Sequence, residues 1–138
     1  MRTVPQVDPV SGETINLPIL PPSKFTLNVT AGAQTAALGD MTGAADVQVQ
    51  YTLVGAAALT TRTALQLIAD LAAVGLGVGD SFTLSIINSN AGTITLTAGV
   101  GVTITGTATI ATTVVRKYVV TITSATTVTF QAVSASTQ

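Results

Sequence analysis

From Ser81 onward, apolar and hydroxylated residues alternate along the chain. Ser81-Phe82-Thr83-Leu84-Ser85-Ile86, Thr93-Ile94-Thr95-Leu96-Thr97 and Val102-Thr103-Ile104-Thr105 each carry Val, Ile, Leu or Phe at every second position. Successive side chains of a strand point to opposite faces, so this period builds strands with one apolar face and one face of Thr and Ser. It predicts strands near 81–88, 92–98, 101–105, 107–111, 114–123 and 126–133. The turns between them fall at Asn88-Ser89-Asn90-Ala91-Gly92, Ala98-Gly99, Gly106, Ala111-Thr112-Thr113 and Ser124-Ala125. Two earlier strands follow the same rule. From Lys24, residues Phe25, Leu27 and Val29 share one face. Val47, Val49, Tyr51 and Leu53 alternate with Gln48, Gln50 and Thr52. Residues 31–45, rich in small residues, read as a loop with room for one short strand.

One segment has a different period. Thr63-Ala64-Leu65-Gln66 matches a capping box, in which the Thr hydroxyl and the Gln amide satisfy the first free backbone N–H groups of a helix. Leu65, Ile68, Leu71 and Ala72 follow at helical spacing, Asp70 lies on the other side, and Gly75 stands where a C-terminal cap would. The spacing predicts a helix near 63–74 that plugs one end or one open face of the sheet structure.

Residues 1–23 break both periods. They hold all five prolines, Pro5, Pro9, Pro18, Pro21 and Pro22. Proline fixes φ and removes a donor, which argues against a helix or a central strand there. Leu17-Pro18-Ile19-Leu20-Pro21-Pro22 is too apolar to be left in water, which favours an extended arm that lies along a neighbouring subunit over a disordered tail. The domain organisation is thus an extended Pro-rich N-terminal arm, 1–23, followed by a β domain, 24–138. About eight closely spaced strands favour antiparallel hairpins over βαβ crossovers. The expected fold class is all-β, an antiparallel β-sandwich or jelly-roll-like fold with one short α-helix.

Composition narrows the chemistry. Charged residues make up 8% of the 138 residues, against about 25% in ordinary domains. The net charge is −1 and the mean hydropathy +0.62. A surface of Thr, Ser, Ala and Gly has little charge repulsion and is cheap to desolvate, which implies that part of it is covered in an assembly. Cys and His are absent. That removes disulfides, thiolate chemistry, a Ser-His-acid triad and the commonest zinc ligands. The acids Asp8, Glu13, Asp40, Asp46, Asp70 and Asp80 are too scattered for a glycosidase pair or a calcium loop. Gly75-Leu76-Gly77-Val78-Gly79-Asp80 follows a helix instead of opening one and lacks a Lys, so it is a link and not a phosphate loop. The chain is therefore read as no enzyme, with no cofactor and no metal.

Five basic residues, adjacent only at Arg116-Lys117, form no cationic stripe, which excludes nucleic acid. The Ala64–Val78 stretch is interrupted and too short to span a bilayer, and Met1-Arg2 opens no secretory signal, so the expectation is a soluble protein with no membrane partner. The Thr-x-Thr pairs put hydroxyls on single strand faces. Their uneven offsets leave ice binding a remote reading beside the simpler one, that Thr suits an exposed strand face. Arg116 interrupts a strand. Strict alternation puts it on the face of Tyr118 and Val120, so a bulge resets the register there, or the strand end is exposed, or Arg116 reaches an acidic neighbour on another subunit.

Thr61-Arg62-Thr63-Ala64-Leu65-Gln66-Leu67-Ile68-Ala69 is followed by Val78-Gly79-Asp80-Ser81-Phe82-Thr83-Leu84-Ser85-Ile86-Ile87-Asn88 and by Ala91-Gly92-Thr93-Ile94-Thr95-Leu96-Thr97-Ala98-Gly99. Together with Val102-Thr103-Ile104-Thr105-Gly106, this order resembles small virion structural proteins of tailed bacteriophages, the nearest type being capsid decoration (cement) proteins. Fibre and spike modules share the composition. The resemblance covers roughly half the chain and transfers no catalytic residue. It implies a homotrimer on the outer capsid surface, made in the host cytoplasm, that clamps neighbouring major capsid protein subunits with an arm across their seam. The alternative is a receptor- or glycan-binding module of a tail fibre or spike. The partner-interface residues expected are Ile15, Leu17, Pro18, Ile19, Leu20, Pro21, Pro22 and Arg116.

Overall fold

The computed structural model describes residues 2–7, 14–19, 23–28, 32–52 and 56–138. Within them the chain is mostly β, with one short helix. The strands are β1 (Arg2–Val7), β2 (Thr14–Ile19), β3 (Ser23–Asn28), β4 (Gln34–Thr35), β5 (Asp46–Tyr51) and β6 (Ala57–Thr60). After the helix α1 (Ala64–Ala72) come β7 (Ser81–Asn88), β8 (Ile94–Thr97), β9 (Val102–Thr105), β10 (Thr109–Ile110), β11 (Val114–Ile122) and β12 (Val128–Thr137).

The strands form a six-stranded sheet, ordered β3-β5-β7-β11-β12-β9, and a four-stranded sheet, ordered β10-β8-β6-β4. The expected antiparallel layout does not hold. β3–β5, β5–β7, β4–β6, β6–β8 and β9–β12 are parallel pairs, while β7–β11, β11–β12 and β8–β10 are antiparallel. The reason is that consecutive strands from β3 to β11 enter the two sheets alternately. The short turns at Ala98-Gly99 and Gly106 are corners between layers, not hairpin loops. From β3 to β9 a strand that returns to its sheet after visiting the other arrives in its original direction, and only β10 and β11 arrive reversed. Only β11 and β12 are consecutive strands paired within the larger sheet.

The apolar faces of both sheets close over one core. Val47, Val49 and Tyr51, Phe82, Leu84 and Ile86, Tyr118, Val120 and Ile122, and Val128 and Phe130 come from the larger sheet. Leu59, Ile94, Leu96 and Ile110 come from the smaller. Tyr118 and Phe130 lie with ring centroids 6.2 Å apart at 59°, a favoured tilted aromatic contact.

The helix begins where the capping box predicts. The Thr63 hydroxyl accepts from the Gln66 N–H at 3.3 Å, and the Gln66 amide oxygen accepts from the Thr63 N–H at 3.1 Å. Its buried stripe is Ala64, Leu67 and Leu71, one step off the expected one, and Leu65 faces solvent. The helix packs near β12. Its first turn is fixed by the Ala64 N–H donating to the Val100 carbonyl at 2.8 Å. That approach needs Gly101, at φ +78°, because a Cβ there would lie 2.8 Å from the Ala64 Cβ and 2.7 Å from the Thr126 carbonyl oxygen. Arg62 Nε and Asp70 Oδ2, 3.0 Å apart, tie the helix to the link between β6 and α1.

Among the described residues, β1 and β2 form a separate antiparallel ribbon, paired with no strand of the other two sheets. The prolines do not prevent it. Pro5 faces Asn16 and Pro18 faces Thr3, two register pairs apart. Alternate pairs of an antiparallel ladder exchange no hydrogen bonds, so one choice of phase leaves both prolines where no N–H is required. The cost falls on the ribbon's two outer edges, each of which lacks a donor.

Candidate binding face

The register builds the outer face of the six-stranded sheet row by row. One row is Ser23, Asp46, Thr83, Val119, Gln131 and Thr105. The next is Phe25, Gln48, Ser85, Lys117 and Ser134, followed by Leu27, Gln50, Ile87, Val115 and Ser136. On the other side lie Ser81, Thr121, Thr129 and Thr103. The face is mostly hydroxyls and amides, with five apolar residues, Phe25, Leu27, Ile87, Val115 and Val119, and two charged ones, Asp46 and Lys117. The Ser81 and Thr121 hydroxyls are 2.7 Å apart and bond across strands. The Ser and Thr side chains of β7, β9, β11 and β12 are on the hydroxylated side that the alternation predicts, interrupted by Ile87, Val115 and Val119.

The β3 edge departs from expectation. Phe25 and Leu27 were on the face expected to be apolar and inward, yet they are 57% and 54% exposed. The polar partners on the other side of β3 point inward, because the loop 36–44 supplies what they need. The Lys24 ammonium donates to the carbonyls of Gly39 and Thr42, the latter at 3.0 Å. Asn28 Nδ2 donates to Asp40 Oδ2 at 3.0 Å, and the Ala37 N–H donates to the same oxygen at 3.1 Å. The Tyr51 hydroxyl completes the cluster at 3.4 Å from it. Burial pushes the Tyr51 phenol far above its ordinary value, and the Asp40 charge and hydrogen bond push in the same direction. This cluster is structural: every group in it meets a partner of its own chain.

Arg116 stands on the core side with Tyr118 and Val120, as strict alternation requires, since β11 pairs with β7 without a break. The register does shift beside it, between Lys117 and Tyr118, but the extra residue is Val133 of β12. Arg116 Nε donates to the Thr109 carbonyl at 2.9 Å and the Tyr118 hydroxyl donates to the Thr107 carbonyl at 3.1 Å. Two side chains of the larger sheet thereby hold the segment entering β10. Burial raises the Tyr118 phenol to about 12, with the Arg116 charge opposing.

Of the other expected interface residues, Ile15, Leu17, Pro18 and Ile19 lie in β2, where only the backbone is described, and Leu20, Pro21 and Pro22 lie outside the described residues. Sequence reasoning missed Asp46, on β5 beside the β3 edge. Its Oδ1 is buried and accepts no hydrogen bond. Among the described residues there is no cavity, no cluster of three or more acidic, His or Cys side chains, and no helix long and apolar enough to cross a membrane. Comparison with protein-family models, with curated proteins and with solved structures finds no match to this chain.

Proposed function

We propose that this chain is a non-enzymatic virion structural protein that decorates and stabilises a phage capsid by bridging neighbouring major capsid subunits. Its two sheets over one core are read as a β-sandwich of mixed strand direction. The observation that carries the proposal is the outer face of the six-stranded sheet. Rows of Thr, Ser and Gln, interrupted by five apolar residues and only two charges, are cheap to desolvate and demand few specific ion pairs from a partner. Such a face suits broad, passive contact with another polypeptide.

The mechanism is mass action. A protein that binds several subunits of a closed shell adds its binding free energy to the assembled state and none to the dissociated one. A homotrimer on the outer surface would multiply those contacts. The N-terminal arm, here a ribbon, would reach across the seam between capsid subunits.

The tail-fibre reading is weaker for a physical reason. Sugar sites use aromatic platforms, and of the five aromatic residues Tyr51, Phe82, Tyr118 and Phe130 are buried, leaving Phe25 alone. The test is binding to expanded phage capsids stripped of their own decoration. The full chain is expected to saturate them, and a chain lacking residues 1–22 to bind with lower occupancy. Undiminished occupancy removes the arm from the mechanism. Failure of the full chain to bind any capsid surface, or antibody label at the tail tip of virions, refutes the proposal.

A further inference from the structure

β12 is built in two unlike halves. From Val128 to Gln131 it lies between β11 and β9, and Val128 and Phe130 enter the core. Past Gln131 this support ends. Gly106, at φ +86°, turns the chain away from β9 beside Ala132, where a Cβ would lie 3.0 Å from the Ala132 Cβ. The register with β11 then breaks at Val133 and resumes from Ser134, opposite Lys117, to Thr137, opposite Val114. Among the described residues no strand pairs with the other side of this half. Every residue from Val133 to Gln138 is exposed, and none belongs to the core. A segment with no buried side chain and one paired edge has low local stability, whatever the stability of the whole.

What fastens the segment is concentrated at Gln138. Its N–H donates to the Thr113 carbonyl at 2.8 Å. Its Nε2 donates to the Asn88 carbonyl at 2.9 Å, and its Oε1 accepts from the Ser89 hydroxyl over a long 3.4 Å. Ser89 is held in turn by Gln50 Nε2, which donates to its hydroxyl at 2.7 Å. The Gln138 side chain thus passes over the start of β11 and ties β12 to the end of β7. Its partners sit on the buried Asn88 anchor, so they stay in place when Gln138 leaves.

We propose that residues 133–138 form a hinged strap that opens as a unit while the rest of the molecule stays folded. The bulge at Val133 is the hinge, because the ladder is already interrupted there, and Gln138 is the latch. Closed, the strap covers the β11 edge from Val114 to Lys117; open, it bares that edge without disturbing the core. The strap is also the part of β12 that a protease reaches first, since cleavage needs an extended segment freed from its sheet. The proposal concerns the fold alone and stands whether or not the chain decorates a capsid.

Native-state hydrogen exchange of the full chain, read residue by residue by NMR over a series of urea concentrations below unfolding, tests it. The strap amides bonded to β11, and that of Gln138, should exchange at least about a hundredfold faster than the bonded amides of residues 118–122. Their rates should hardly respond to urea, because a local opening exposes little surface. Gln138→Ala should speed strap exchange roughly fivefold, the worth of one net hydrogen bond, and leave residues 118–122 unchanged. Gln138 is exposed, so the variant is expected to fold, and circular dichroism checks it. Proteinase K digestion followed by mass spectrometry gives a second measurement: cutting within 133–138 should be faster in Gln138→Ala than in the unaltered chain. Strap amides that share the rate and urea slope of residues 118–122 overturn the proposal, since the strap would then open only with the whole fold. A Gln138→Ala chain with unchanged strap exchange and cutting removes the latch and overturns it too. So does one in which all amides speed up equally, which would make Gln138 part of the global fold.

Discussion

Replacing Asn88 by Ala should cost more than any other single polar deletion in this chain. The side chain is fully buried at the end of β7. Its Nδ2 donates to the carbonyls of Gly92 and Ile110, both at 2.8 Å, with the Ala111 carbonyl at 3.2 Å, and its Oδ1 accepts from the Asn90 N–H at 2.9 Å. One amide thus holds the turn after β7 and the segment after β10, which belong to different layers. An amide nitrogen has two hydrogens, so three good bonds are lost, each worth about 1 kcal/mol net. Buried partners left unsatisfied raise the total to about 3–4 kcal/mol. At roughly 4 °C per kcal/mol for a domain of this size, the melting temperature should fall by about 12–16 °C.

The assay is urea unfolding followed by circular dichroism, with an unchanged m-value required for comparison. Asn88→Asp sharpens the test, because it keeps the acceptor for Asn90 but points a carboxylate at carbonyl oxygens. The charged form is disfavoured in the fold, which raises the folded pKa above the unfolded value of about 3.9. The native state then binds more protons, so the variant should lose stability as pH rises from about 4 towards 7. A loss below about 1 kcal/mol for Asn88→Ala, or a pH-independent Asn88→Asp, would refute the reasoning.

Thr63→Ala removes the helix cap and should destabilise by about 1 kcal/mol, read as a shift in thermal midpoint; no shift would mean the box does not hold α1. Thr113 is a β-branched residue at φ +59°, so Thr113→Asn should stabilise by about 0.5–1 kcal/mol as strain is relieved, and a drop in midpoint would count against this. Absorbance titration at alkaline pH should show no phenol ionising near 10 in the folded protein, because burial raises Tyr118 to about 12 and Tyr51 further. Both phenols ionise more readily unfolded, so stability should fall as pH rises from about 10 towards 12; a native phenol with an ordinary value would contradict their burial.

Local features were legible where local chemistry decides them. Residues 81–86 alternate cleanly and lie within β7, which spans the expected 81–88, and the Thr63–Gln66 box sets the start of α1. β6 carries Ala-Ala-Leu-Thr, with one large apolar side chain, and gives no period to read. The mixed strand direction was hidden because a turn such as Ala98-Gly99 looks the same whether the chain reverses within a sheet or crosses to another. The inward turn of Lys24 and Asn28 was hidden for a similar reason. Their partners lie in the loop around Asp40, and nothing near them in the chain announces it. Asp46 was unremarkable until the register put it beside the exposed Phe25.

The alternation of strands between layers has a kinetic consequence. Within the larger sheet only β11–β12 joins neighbours along the chain. β3–β5, β5–β7 and β9–β12 each require the chain to complete a circuit before a single rung can form. Closing such circuits before any contact rewards them is slow, so refolding should be cooperative and take milliseconds to seconds, with substitutions in the β11–β12 hairpin slowing it most. Stopped-flow refolding on a microsecond scale would be incompatible with a chain wound in this way.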